Sequence, residues 1–236
     1  MTRGTTRRRD QVVTVRGGPP FRWSRAARIA FLASAAMVTV LHVLRSDLDP
    51  VRRRLSEYAI GTFGAAMTAA FVLFGLGLYA LSRAVRSVDT VTPTMRVLRV
   101  LLLVAGIGMI VSGVVETQVG PGAVEWREIV HSQASALAFV ALIAAALLTA
   151  TVARSTVAWN GSRRAADIIT GLATGSALIS PLAHDGPWAG LVQRLSYVAV
   201  LCWLLLTAAA TARMGTSPRR PDHPPGEDLR RRPPIR

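Results

Sequence analysis

The chain has no lysine: its 28 basic side chains of the Lys and Arg class are all arginine. It has one cysteine, Cys202, which excludes an intramolecular disulfide and, inside an apolar stretch, reads as a small core hydrophobe. Acidic residues number only 13, which leaves a formal charge of +15. Signatures of soluble chemistry are missing as well. There is no Gly-x-Ser-x-Gly elbow, no P-loop, no dinucleotide fingerprint and no cysteine pair. So high a charge raises nucleic acid as a partner, but no reading motif accompanies it, and the arginines sit in tails and gaps beside apolar blocks. The expected partners are therefore membrane lipids, with anionic headgroups at the cytoplasmic face and no nucleic acid. Arginine used to the exclusion of lysine, with abundant Ala and Val, points to a GC-rich bacterial genome.

What is present is six long apolar stretches: 26–44, 59–81, 97–115, 132–153, 165–182 and 189–212. Each is as long as a helix rising about 1.5 Å per residue needs to be to cross about 30 Å of hydrocarbon. The expected fold is all-α, a polytopic six-helix transmembrane bundle. Arginine falls mainly into alternate gaps. The segment through Arg28 holds eight, the 2–3 gap four, the 4–5 gap three and the C-terminal tail seven. The other three gaps share Arg45, Arg52, Arg53, Arg54, Arg127 and Arg194. By the positive-inside rule both termini are cytoplasmic, in a bacterial cytoplasmic membrane. Arg7-Arg8-Arg9 and Ala33-Ser34-Ala35 imitate export signals, but the apolar block begins far downstream of the former and runs past the latter, so a retained first span is expected.

The domain expectation follows: a disordered arm over 1–25, a membrane domain over 26–212 and a disordered Pro/Arg-rich tail over 213–236. Trp23, Trp126, Trp159 and Trp188 fall where interfacial indoles belong, and only Trp203 is mid-span. Asp49-Pro50 has the grammar of a helix start, with Arg53 and Glu57 one turn apart and able to pair. Span 5 carries Gly171-x-x-x-Gly175 and breaks at Pro181; the small-residue spacing predicts close backbone packing of an internal helix, with a re-entrant segment as the alternative.

Ionisable groups gather at the outer ends of the spans. They include Glu57, Glu116, Glu125, Glu128 and Asp185 with His42, His131 and His184. Arg194, near the start of span 6, is expected to seek a counter-charge from Glu57, Glu116 or Glu128. Glu128 and His131 share a helical face at i, i+3, the spacing that supplies half of a metal site in carboxylate bundles. The binding residues expected from this pattern are Glu57, Glu128, His131 and Arg194. An alternative metal set is Glu128, His131, His184 and Asp185; no cofactor is expected otherwise.

The stretch Asp49-Pro50, Leu55-Ser56-Glu57-Tyr58-Ala59, Gly61, Gly64 and Met67-Thr68-Ala69-Ala70-Phe71 resembles the domain of unknown function 998 family. So do His131 before an Ala-rich helix, and Gly190-Leu191 with Gln193-Arg194-Leu195 and Trp203. The resemblance implies a bacterial membrane protein of about six spans, over roughly 30–212. Three positions depart from the pattern. Val115-Glu116-Thr117-Gln118 stands where a Phe-Pro-x-Asp element is usual, Ala65 where a Trp is, and Gln193 where an acid is. The resemblance supplies no reaction. The leading expectation is a non-enzymatic membrane protein that binds or passes a small solute or lipid headgroup at an extracytoplasmic vestibule. Its rivals are an intramembrane metal-assisted hydrolase using His131 and His184, and an accessory subunit of a membrane complex.

Overall fold

The computed structural model describes residues 18–88, 92–115, 117, 124–155, 159, 163–182 and 186–214. Every regular element among them is helical: α1 (Pro19–Leu44), α2 (Gly64–Arg86), α3 (Pro93–Val114), α4 (Glu125–Ser155), α5 (Arg163–Leu182) and α6 (Ala189–Met214), with a 3-10 turn at Leu55–Ala59. Each helix packs against the next in sequence, and α6 returns to α1, which closes a ring. Five of the six are long and apolar enough to cross a membrane; α5 falls short of that standard. The tail beyond 214, residues 1–17, Glu116, His184 and Asp185 lie outside the described residues.

Helix starts differ from expectation in two places, for local reasons. α1 begins at Pro19, inside the segment expected to be a disordered arm, because Pro19 and Pro20 occupy the first helical positions, where a missing N–H costs nothing. α2 begins at Gly64 rather than continuing from Pro50. Asp49 does cap a turn, its Oδ1 accepting from Val51 N at 2.8 Å, but the turn is not propagated. Gly61 at φ 77° and Phe63 at φ 66° turn the backbone left-handed and end any helix there.

The core gathers Phe31, Phe74, Leu78, Leu102, Trp203 and Leu204 from α1, α2, α3 and α6. In lipid, apolar area gives little net drive for helix association, so close backbone approach matters more. That approach is made by α2 and α3: a Cβ on Gly75 would meet Gly106 O at 2.7 Å, and one on Gly106 would meet Gly75 O at 3.0 Å. Gly171 and Gly175 do not act this way, since a Cβ on either meets nothing within 4 Å. The inner face of α5 is instead the stripe Ala166, Thr170 and Ala173.

Two further side chains sit differently from their sequence reading. Trp159 is 1% exposed and packs with Ala153, Ala166 and Ala210 at the Arg-rich end of the bundle, its ring buried among helices rather than presented at the surface. Cys202 is exposed on the outer face of α6, not in the core. Trp126 and Trp188 are exposed, as interfacial indoles would be, and Trp23 lies beneath Arg83 at 5.3 Å.

Candidate functional site: a roofed cavity

At the Arg-poor end, the loop 45–63 folds back over the bundle. Arg45 holds its two ends together. Its Nε and Nη2 donate to the two carboxylate oxygens of Asp47 at 3.0 Å each, and its Nη1 donates to Ile60 O at 2.7 Å and Thr62 O at 3.1 Å. These donated hydrogen bonds hold the Asp47 carboxyl below its ordinary value. Glu57 turns inward on the loop: Oε1 accepts from Arg54 N at 3.0 Å and Oε2 from Arg53 Nη1 at 3.1 Å.

The start of α6 grips this loop from the side. Gln193 Oε1 accepts from Leu55 N at 2.6 Å, and Leu191 N donates to Val51 O at 3.0 Å. Arg194 Nη1 donates to Arg53 O at 2.7 Å and to Gly190 O at 2.9 Å. His42 Nδ1 lies 2.6 Å from Val38 O; a carbonyl only accepts, so that nitrogen carries the proton. Nε2 of His42 is then the acceptor for Arg194 Nε at 2.7 Å. The buried Tyr58 ring stacks 5.1 Å from the His42 ring, and the Arg194 guanidinium lies 5.4 Å from the Tyr58 centroid. Gly190 is required by this contact, because a Cβ there would strike Arg53 O and Pro50 O.

Below the roof lies a cavity of about 430 Å³, within the range of small-molecule sites. Arg54, Leu55 and Ser56 form its ceiling, and Glu128, His131 and Gln193 stand beneath. Deeper in, Phe71, Phe74, Phe139 and Leu142 make it apolar. Glu128 Oε2 accepts from Thr117 Oγ1 at 2.8 Å. His131 is 7% exposed, and its Nδ1 lies 2.9 Å from both Ser112 O and Val115 O. Nδ1 is therefore the protonated nitrogen, and it satisfies carbonyls at the end of α3 that the helix leaves open. Nε2, without a partner among the described residues, is the nitrogen left for the cavity that the ring lines. The ring also meets Phe71 edge-on at 6.5 Å.

Of the four expected binding residues, Glu128 and His131 come together at the cavity, whereas Glu57 and Arg194 belong to the clamp that holds the roof. Arg194 does not pair with Glu57 or Glu128; a neutral imidazole, two carbonyls and a tyrosine face take the place of the expected carboxylate. Its third candidate, Glu116, lies outside the described residues. No group of three or more His, Cys, Asp or Glu that could hold a metal occurs among the described residues, and His184 and Asp185 of the alternative set are not among these. Sequence reasoning overlooked Arg54, Ser56, Gln193 and Tyr197 as lining residues. Gln193 and Tyr197 are i, i+4 on one helix face, a spacing that marks a shared surface. Arg54 was hidden inside a run of three arginines.

No curated protein and no solved structure matches the chain. A family model described as protein of unknown function (DUF998) matches residues 28–210, from α1 into the last turns of α6. With all six helices represented and the lining of the roofed cavity inside that match, the chain belongs to the DUF998 family.

Proposed function

We propose that this protein is a multi-pass protein of the bacterial cytoplasmic membrane that binds a small solute or lipid headgroup in the roofed cavity. The observation that carries the reading is the convergence of Glu128, His131, Arg54 and Gln193 on one internal space of about 430 Å³. Groups able to donate and accept, held over an apolar interior, are what orients a ligand in such a pocket. In this reading α5 crosses the membrane as a sixth span, both termini are cytoplasmic and the cavity faces outward. The alternating arginine count supports that orientation, and the same arginines attract anionic headgroups at the cytoplasmic face. Two backbone carbonyls hold the His131 Nδ1 proton, which fixes the ring with Nε2 as the hydrogen-bond acceptor available to a ligand in the cavity.

The test is thermal unfolding of the purified protein in detergent with glycerol phosphate, phosphoethanolamine and phosphocholine as headgroup probes, and with added phospholipid. A ligand at a hundredfold excess over its Kd adds about 2.7 kcal/mol of stability. At least one probe should raise the melting temperature by several degrees, and Glu128→Gln should abolish the shift. If neither the headgroup probes nor phospholipid shift the melt, the binding reading fails.

A further inference from the structure

We infer that the cavity is a lipid site that loads sideways from the bilayer, through the seam between α4 and α5. This rests on the binding reading above and names its ligand class. Among the residues that line the cavity, the outward-exposed ones are confined to one place: Ser132, Ala136 and Val140 on α4, and Leu178 on α5. Val140 is 64% exposed and Leu178 59%. The three on α4 are spaced i, i+4, i+8, so they form a single flank of that helix, and Leu178 stands as the opposite jamb. The lining residues from α1 and α2, such as Ser34, Val38, Met67 and Phe74, are buried and close the far wall. Among neighbours around the ring, α4 and α5 also pack least extensively.

The chemistry of the cavity runs in one direction. Along α4 the lining passes from Glu128 through His131 and Ser135 to Phe139, Leu142 and Ile143. At about 1.5 Å per residue this is a gradient some 20 Å long, from charge to hydrocarbon. On α6 the same order holds, Gln193, Tyr197, then Val200. A water-borne polar solute would fill the upper part and leave the aromatic floor to water. Water needs two to four polar partners, which Phe71, Phe74 and Phe139 do not offer. An acyl chain fills that floor without such a demand. In the bilayer the chain gains little by the move, since lipid tails are as apolar as the cavity wall. Selection therefore rests with the head, beside Arg54, which also pairs with Glu57 through Nε at 3.4 Å, and Glu128, which also accepts from Thr117. A head carrying both an anionic and a donor group fits by sharing these partners. The ligand class is an amino- or hydroxyl-bearing phospholipid with one chain in the cavity, its second chain free to remain in the bilayer through the seam.

The experiment uses the full chain in vesicles of phosphatidylethanolamine and phosphatidylglycerol, doped with a phosphatidylethanolamine that carries a photoactivatable diazirine at mid-chain. Adducts are mapped by tandem mass spectrometry. Cavity residues Phe71 and Phe139 should be labelled along with outward-facing Leu137 and Leu147, which report ordinary surrounding lipid. The seam variants Val140→Trp and Leu178→Trp place their bulk at exposed positions, so each should fold. Each should cut labelling of Phe71 and Phe139 by tenfold or more while Leu137 labels as before. Labelling of Leu137 and Leu147 alone means surrounding lipid only and overturns the proposal. Interior labelling that persists in both seam variants overturns the sideways route. If a soluble headgroup probe stabilises the protein while the interior stays unlabelled, the cavity binds a water-borne solute: the lipid inference falls and the binding reading survives.

Discussion

Replacing Arg194 with alanine is the sharpest test of the clamp. The side chain makes charge-assisted hydrogen bonds to His42 Nε2 and Arg53 O at 2.7 Å each, and lies over the Tyr58 ring at 5.4 Å. Its bond to Gly190 O is within its own helix and is discounted. Arg53 O is at the surface, so water replaces much of that bond. The His42 acceptor is less accessible, and a hydrogen bond involving a charged group contributes roughly 1.5–3 kcal/mol. The contact with Tyr58 adds about 0.5–1 kcal/mol. Together Arg194→Ala should cost about 2–4 kcal/mol. At about 2–4 °C per kcal/mol for a chain of this size, the melting temperature in detergent should drop by roughly 4–16 °C. A double-mutant cycle with His42→Ala should return a coupling of about 1–2 kcal/mol. Glu57→Gln and Glu128→Gln should not rescue Arg194→Ala, because neither carboxylate faces it. A variant that melts within a degree of the parent would refute the clamp, and rescue by either Gln substitution would restore the ion pair expected from sequence.

Two glycine substitutions should move in opposite directions. Gly190→Ala drives a Cβ into Arg53 O and Pro50 O and should cost about 1–3 kcal/mol, seen as an earlier melt. Gly171→Ala meets nothing and should be neutral or stabilise by up to about 1 kcal/mol, through helix propensity alone. Because Asp47 is held below its ordinary value of about 3.9, the stability it lends is present at neutral pH and is lost as pH falls through the folded-state value. Asp47→Asn should therefore flatten the acid side of a melting-temperature profile. In a Cys202→Ala background, Gly122→Cys should react with an impermeant thiol reagent in intact cells and Ser162→Cys should not. Labelling of the latter would put the 4–5 connection outside and remove the alternating topology.

The helices were legible because their signal is local. An uninterrupted apolar block sets its own length, and each span expected from sequence lies within a helix or within a few residues of one. The site was legible only where its residues share a helix. Glu128 and His131 could be joined by counting along α4. Gln193 and Leu55 are 138 positions apart, and no periodicity links a side-chain amide to so distant a backbone N–H. Arg194 was correctly expected to be anchored, but its partner was sought among carboxylates. The imidazole that takes their place becomes an acceptor only because Val38 O engages its other nitrogen. Gly171 and Gly175 show the same limit in reverse: the small-residue spacing is real, yet the rotation of α5 turns it away from its neighbours.

Two of the stretches that carry the family resemblance, 49–64 and 190–195, meet in the structure and build one object, the clamped roof. Gly190 admits the loop, Gln193 and Leu191 hold its backbone, and Arg194 ties it to α1 through His42. Glutamine at 193, where an acid is usual, keeps this function: its Oε1 accepts the Leu55 N–H as a carboxylate oxygen would. What changes is charge, since the cavity beside Arg54 then carries one acid, Glu128, rather than two. The second departure lies beside Glu128. Thr117, in the segment that lacks the usual Asp, gives its hydroxyl to Glu128 at 2.8 Å. Glutamine at 193 leaves the roof standing and lowers the negative charge beneath it. The motif residues thus account for how the roof is held over the cavity.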